Sequence, residues 1–438
     1  MTEAKATPYE VVHEVSDRAI LVGVDRGQQG WPIEENMAEL ARLVDTAGAK
    51  IVGSVTQRLD RPHPRTFIGK GKAEEIAQLA EQTNTTLIVF DDDLSPSQQA
   101  NVEGLIMGVK VLDRTALILD IFALHAKSRE GRLQVELAQM EYLLPRLRGL
   151  WRHFGQAAAV SGGALGIGTR GPGETQLETD RRLARHHIQE VRRELKAVAA
   201  ARDTQRSARH RSGIFRVALV GYTNAGKSTL LNAMTGADVL VQDKLFATLD
   251  ATTRRLELHE GRIVTLTDTV GFINKLPHSL VEAFKSTLDE VREADLLLHV
   301  IDTSHPMASA QIAAVSEVLG ELGVAATPQL FVYNKTDLVD ANELTQLRRR
   351  SPDAVFVSGA RGTGLDELVG RIASAAAQSD RTLDILVPYT RGDLVRLAHE
   401  EAHIISEEHV EDGTHLVVRV PATRAEVFRP FLRDGETG

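Results

Sequence analysis

The sequence predicts an α/β protein organised around a doubly wound sheet, and three observations carry that reading. Apolar strand-like runs alternate with helix-like stripes through residues 20–113 and again through 213–377. Such alternation is the pattern of parallel sheets covered by helices. The apolar run 215–220 leads directly into Gly221-Tyr222-Thr223-Asn224-Ala225-Gly226-Lys227-Ser228, and a helical pattern follows. Strand, glycine-bearing loop and helix in that order make a P-loop setting. Two further motifs, Asp268-Thr269-Val270-Gly271 and Asn334-Lys335-Thr336-Asp337, each close a strand-like run downstream. Their order and spacing fit a guanine-nucleotide switch, with the ligand at the carboxyl ends of the strands.

The elements follow in order. Strands are expected at 20–24, 51–55, 87–90 and 109–113, with amphipathic helices at 38–44 and 73–80. Residues 1–114 form an N-terminal α/β domain on this reading. Gly69-Lys70-Gly71-Lys72 reads as a turn that opens the second helix. From 115 to 212 the pattern is helical. Leu117 to Leu144 suggests one long stretch, and Leu177, Ala184, Ile188, Val191, Leu195 and Val198 form a second stripe at three-to-four spacing. Two such helices most simply pack as a hairpin. Between them lies the glycine-rich loop 161–173. Residues 213–377 form the nucleotide domain, with strands at 215–220, 263–267, 296–301, 329–333 and 354–357. Residues 383–438 form a small α+β domain, with a helix at 394–402 and a strand at 416–420.

Bulk properties narrow the class. The 438 residues suffice for several domains. With 42% hydrophobic and 25% charged residues, the chain has the balance of a soluble globular protein. The absence of cysteine excludes disulfides and thiolate metal sites and suits a reducing cytoplasm. No signal-peptide pattern opens the chain, and no apolar run reaches the length of a membrane span. A net charge of −9 argues against a protein that is basic overall. Residues 115–216 depart from that balance, with 18 Lys and Arg against 10 Asp and Glu. A solvated helix face with ion pairs accounts for this equally simply. The other reading is an RNA-phosphate footprint, with Trp151, His153 and Phe154 beside the loop as candidate stacking groups.

The motifs specify chemistry. Backbone N–H groups of 221–226 can wrap phosphate oxygens, aided by the positive end of the helix that follows. Lys227 supplies a point charge for the β- and γ-phosphates, and Ser228 a hydroxyl for Mg2+. Asp268 would sit beside that ion, and Gly271 can offer its N–H to the γ-phosphate. Asp337 can accept both N1–H and N2–H₂ of guanine, a donor pair adenine lacks. That argues against a small-molecule kinase using ATP. Asn334 can meet the base edge or tie its loop to the P-loop, while the Lys335 stem can cover the ring. Ser358-Gly359-Ala360 follows a strand and would complete the base pocket. A switch also needs a threonine for Mg2+ between the P-loop and Asp268. Thr248, Thr252 and Thr253 all qualify by chemistry. Phe272 occupies the position where many GTPases place a water-orienting glutamine. Hydrolysis is therefore expected to be slow without a partner, and no catalytic residue is assigned.

The sequence resembles the HflX GTPases along nearly its whole length. The resemblance rests on Phe67-Ile68-Gly69-Lys70-Gly71-Lys72 with Glu74-Glu75, on Asp113-Arg114-Thr115 with Ile118-Leu119-Asp120-Ile121-Phe122, and on Gln134-Val135-Glu136-Leu137-Ala138-Gln139. Gly171-Pro172-Gly173-Glu174-Thr175-Gln176-Leu177-Glu178 completes it. It implies that Phe246-Ala247-Thr248-Leu249-Asp250 is switch I and that Thr248 is the second hydroxyl ligand of Mg2+. Ala251 stands where the family usually has proline, and Gly359 where another small residue is commoner. The resemblance further implies a cytoplasmic enzyme that hydrolyses GTP to GDP on the large ribosomal subunit, is stimulated there, touches ribosomal RNA and splits ribosomes. A monomer that binds no DNA is expected. A large-subunit assembly or quality-control factor, or a nucleotide-gated binding module with negligible turnover, are the alternatives.

Overall fold

The structure, a computed structural model, describes residues 17–27, 31–106, 108–147, 176–210, 214–236, 244–258, 262–277, 280 and 288–433. The glycine-rich loop 161–173 and Trp151, His153 and Phe154 lie outside the described residues. The chain divides into two units. The first holds residues 1–193 with two short segments, Lys244–Phe246 and Lys275–Ala283. The second holds Glu194–Asp243, Ala247–Asn274 and Phe284–Gly438.

The first unit is built on four parallel strands, β1 (Arg18–Asp25), β2 (Lys50–Arg58), β3 (Leu87–Phe90) and β4 (Lys110–Leu112), in the order β2-β1-β3-β4. Strands β1 and β3 are nearly continuous apolar runs because both faces of the sheet are covered. Helices α1 (Ile33–Thr46), α2 (Lys70–Gln82) and α3 (Pro96–Leu105) lie between them in the chain. Helix α3 starts where its residues dictate: Ser95 accepts from the Gln98 N–H, Gln98 closes a capping box, and Pro96 takes the first turn. Gly69 caps α2 in extended backbone and donates its N–H to Gln57 Oε1 at 2.9 Å, so the Gly-Lys-Gly-Lys run does open a helix.

The long helical stretch expected from Leu117 to Leu144 is two helices. Helix α4 (Arg114–His125) ends at Ala126, and α5 (Arg129–Leu143) starts on its own cap, Ser128, which accepts from the Gly131 N–H at 2.9 Å. Helix α4 is buried from Arg114 to Phe122 apart from Asp120, so it belongs to the sheet layer. Helix α6 (Gln176–His210) buries Ile188 and Val191 of the expected stripe. The pairs Glu136–His187 (2.7 Å) and Glu141–Arg192 (2.6 Å) advance together along α5 and α6. These helices therefore run parallel, where a hairpin would run antiparallel. The chain between them spans residues 148–175, far beyond the few residues of a tight helix connection.

The second unit carries β5 (Phe215–Gly221), β6 (Thr252–Glu257), β7 (Ile263–Asp268), β8 (Leu296–Asp302), β9 (Gln329–Asn334) and β10 (Val355–Phe356). Their order is β10-β9-β8-β5-β7-β6, and all run parallel except β6. Helices α7 (Lys227–Thr235), α8 (Asp289–Arg292), α9 (Ala308–Glu321), α10 (Ala341–Arg350) and α11 (Leu365–Gln378) connect them. Leu219, Leu298, Val332, Leu368 and Ile372 lie at the centre of this core. A three-stranded antiparallel sheet follows: β11 (Asp380–Val387), β13 (Gly413–Pro421) and β12 (His403–Val410), with α12 (Gly392–Glu401) and α13 (Ala422–Phe428). Arg262 of the nucleotide sheet holds Asp380 bidentately, at 2.6 and 2.9 Å. Among the described residues no helix is long and apolar enough to cross a membrane.

Candidate nucleotide-binding site

Strand β5 is the middle of its sheet, between β8 and β7, so the loop after it opens where the strand order diverges. Gly226 caps α7 with φ +90°, and a Cβ there would stand 2.3 Å from Asn334 Nδ2. Only glycine fits both conditions. Lys227 is buried, and its ammonium donates to the carbonyls of Gly221 (3.2 Å) and Tyr222 (2.9 Å). Burial pushes its pKa down to about 8 against the opposing charge of Asp268. A polyanion arriving here would restore the full positive charge.

Beside Lys227, three oxygen-bearing side chains converge. Ser228 Oγ donates to Asp268 Oδ2 at 2.6 Å and lies 2.8 Å from Thr248 Oγ1. Asp268 is wholly buried at the end of β7, and its Oδ1 has no hydrogen-bond partner. Burial raises its pKa, while Lys227 and the hydroxyls of Ser228 and Thr248 act in the other direction. A buried carboxylate oxygen left without a partner is a poor resting arrangement unless a cation completes it. Spacing left three threonines open. The structure brings Thr248 to Ser228, while Thr253 pairs with Thr267 at 3.0 Å and Thr252 sits in the β6 ladder opposite Asp268.

The segment after Asp268 is pinned to the P-loop through its backbone. Phe272 N–H donates to Gly221 O at 3.1 Å, and Thr223 N–H donates to Phe272 O at 2.7 Å. Thr269 Oγ1 donates to Leu219 O at 2.6 Å. A Cβ on Gly271 would lie 2.7 Å from Thr223 Cα, so this approach depends on glycine. The Phe272 ring is buried and cannot orient water. Tyr222 adds a contact that motif reading missed: its hydroxyl accepts the Asn274 N–H at 2.7 Å.

On the other side, Asn334 ties three segments together. Its Nδ2 donates to Ala225 O at 2.9 Å, and its Oδ1 accepts the Gly359 N–H at 3.0 Å. Of the two roles its type allows, the structure displays the tie. Thr336 Oγ1 donates to Val357 O at 2.9 Å, which holds this turn against the strand before Ser358. Asp337 Oδ1 accepts from Ser358 Oγ at 2.6 Å, and Arg361 Nε lies 3.5 Å from its other oxygen. The Ser358 hydroxyl, first, holds the Asp337 carboxyl below the usual range, so it stays ionised. Lys335, at φ +61°, pairs with Asp302 at 2.7 Å. Asp302 ends β8 and carried no motif. Neither did His299, buried on β8 with its pKa pushed down to about 4 by burial, which keeps a neutral ring under the loop. Asn224, Ala225, Val270, Ala247, Leu249, Asp250 and Ala360 occupy the loops between these groups.

Three family models match successive parts of the chain between residues 34 and 335. They are described as GTP-binding GTPase N-terminal (residues 34–123), GTP-binding GTPase Middle Region (125–209) and 50S ribosome-binding GTPase (216–335). Among curated relatives, "GTPase HflX" of Caldanaerobacter subterraneus subsp. tengcongensis is 46% identical over 95% of this chain and 94% of its own length. "GTPase HflX" of Lacrimispora saccharolytica is 45% identical over 93% of this chain and 95% of its own. "GTPase HflX" of Escherichia coli K12 is 40% identical over 93% and 95%. With these relatives along nearly its full length, the chain belongs to the HflX family of GTPases.

Proposed function

We propose that this GTPase binds GTP on the P-loop and uses the GTP-bound state to engage the large ribosomal subunit and split or recycle ribosomes. The observation that carries the nucleotide part is the cluster of Ser228, Thr248 and Asp268, with its unpartnered buried carboxylate oxygen. Those groups suit a hard divalent cation. Ser228 and Thr248 would hold Mg2+ and Asp268 would support it from the end of β7. The ion would supply charge neutralisation for the β- and γ-phosphates.

In this reading Lys227 and the N–H groups of 221–228 bind the triphosphate. Asp337 reads guanine, Asn334 and Lys335 hold the pocket, and Ser358, Gly359 and Ala360 close it. Residues 246–250 form switch I and 268–271 form switch II. Water attacks the γ-phosphorus and GDP leaves. Because Phe272 offers water no hydrogen bond, turnover is slow until a partner orders the site. The partner proposed is the large subunit, supported by the family model described as 50S ribosome-binding and by the positive balance of residues 115–216. That segment would face ribosomal RNA. The protein acts in the cytoplasm as a monomer.

The test is GTP turnover by the full chain alone, with large subunits and with intact ribosomes, paired with light scattering. Large subunits should raise turnover at least tenfold, and GTP should lower the scattering of intact ribosomes. Turnover indifferent to ribosomes would overturn the ribosomal part. Stimulation with unchanged scattering would replace splitting by an assembly or inspection role.

A further inference from the structure

We infer that Asp302 is a positioning residue for base recognition: it pins the Lys335 side chain along the guanine pocket before the nucleotide arrives. The inference rests on the P-loop reading above and deepens it with a residue outside every nucleotide motif. Asp302 ends β8, in register with Asn334 at the end of β9. Its two oxygens have separate partners. Oδ2 accepts from the Lys335 ammonium at 2.7 Å. Oδ1 accepts from the Ser304 N–H at 3.0 Å and from the Ser304 hydroxyl at 2.6 Å, which fixes the carboxylate within its own turn. The Lys335 and Asp302 side chains are 26% and 14% exposed. A pair so withdrawn from water is screened less than a surface pair.

The turn that carries Lys335 is fixed from the same place. Thr303 donates twice to the Asn334 carbonyl, through its N–H at 3.0 Å and its hydroxyl at 2.6 Å. Lys335 itself stands at φ +61°, a left-handed conformation that a lysine keeps only where its surroundings impose it. Its stem runs beside the P-loop: a Cβ on Gly226, the glycine that caps α7, would lie 4.0 Å from Lys335 Cε. The backbone and the ammonium are held at opposite ends, so the methylene stem between them follows one course, next to the loop that takes the phosphates. Asp337 is committed to the base edge on this reading, which leaves the ring face to an apolar stem. A long side chain loses rotamer freedom when it packs on a ligand. Here Asp302 has already ordered the chain, and binding gains by the difference.

Asp302→Asn keeps an oxygen for Ser304 and removes only the charge that holds Lys335. In the full-length protein it should weaken GDP binding by roughly fivefold in calorimetric titration, the size expected when one long side chain is left to be ordered on binding. Inosine diphosphate, which lacks the guanine amine, should weaken by the same factor, because the defect lies at the ring face and not at the edge read by Asp337. Asp302→Glu returns the charge and should recover most of the affinity. In a Lys335→Ala background Asp302→Asn should cost nothing further, since Asp302 acts only through that lysine. Ser304 is exposed, so Ser304→Ala tests the same arm without risk to the fold and should give a smaller loss. A purely structural pair would lower the melting temperature and leave GDP affinity alone. GDP binding by Asp302→Asn at the wild-type affinity, or a loss of the same size with Lys335→Ala already present, would overturn the inference. Failure of the wild-type chain to bind GDP at all would overturn the P-loop reading instead, so the two failures are distinct.

Discussion

Replacing Asn334 by alanine separates the two roles its chemistry allows. In the structure its amide satisfies Ala225 O and the Gly359 N–H, both in buried surroundings. The substitution leaves that carbonyl and that amide without partners. A buried group so abandoned costs about 1–3 kcal/mol. The void approaches the room one water needs, and a water there would satisfy one of the two. The expected loss is therefore about 3 kcal/mol, all of it present before any nucleotide binds. The whole chain will not unfold in one step, so a local readout is needed. Hydrogen exchange in nucleotide-free protein should accelerate about a hundredfold in peptides covering Ala225 and Gly359, since each 1.4 kcal/mol is a factor of ten. GTP and ITP affinity should fall by similar factors, because the damage is to the loops and not to one base edge. Asn334→Asp keeps an acceptor for Gly359 but sets a carboxylate oxygen against Ala225 O, and it should not rescue. Unchanged exchange in the apo protein, with guanine affinity alone reduced, would refute the tie and assign Asn334 to the base.

Other consequences are equally direct. Lys227→Ala should abolish GTP and GDP binding by titration. Asp337→Asn should weaken guanine nucleotides by two orders of magnitude or more and improve relative binding of xanthine nucleotides, whose C2 carbonyl suits an amide donor. The depressed pKa of Asp337 gives a pH profile with a definite sign: the ionised form is favoured, so guanine affinity stays level as pH falls toward the ordinary carboxylate range and drops only below the folded pKa. Ser358→Ala removes the largest cause of that depression and should move the drop to higher pH. Gly271→Ala forces a methyl to within 2.7 Å of Thr223 Cα and should cut turnover by displacing switch II, with GDP binding less affected. Arg262→Ala strands the nearly buried Asp380 carboxylate. It should expose β11 to exchange, with a stability loss of about 2–4 kcal/mol.

What the residues disclosed in advance follows from where each signal resides. Central strands announced themselves because both faces are buried and the runs are apolar throughout, as at β3, β5 and β8. Among edge strands, β2, β4 and β10 were legible, but β6 and β12 were not. Strand β6 reads Thr-Thr-Arg-Arg-Leu-Glu with one buried residue, and β12 is exposed almost along its length. The break between α4 and α5 hid behind continuous helical spacing, since its cause is a single cap at Ser128. Parallel α5 and α6 could not be foreseen, because an apolar stripe names a face and not a direction. The motifs of the candidate site were legible for another reason: each is local, a short turn at the end of a strand. Which threonine lies beside Ser228 needed the fold, because spacing alone admitted Thr248, Thr252 and Thr253 alike.

The ion pairs of Lys275 show why local reading stops where it does. In the sequence Lys275 is an ordinary basic residue, and its partners Asp91 and Asp92 are 184 and 183 positions away. Asp91-Asp92-Asp93 after an apolar strand reads as a polar turn. Only the fold shows that Asp91 is buried and held by Arg114 as well. Burial then changes the meaning of every neighbour. An exposed Lys–Asp pair contributes almost nothing, whereas one that neutralises a buried carboxylate is costly to break. Switch I offers the same lesson in apolar form, since Phe246 sits within the family's switch motif yet buries its ring against Phe122.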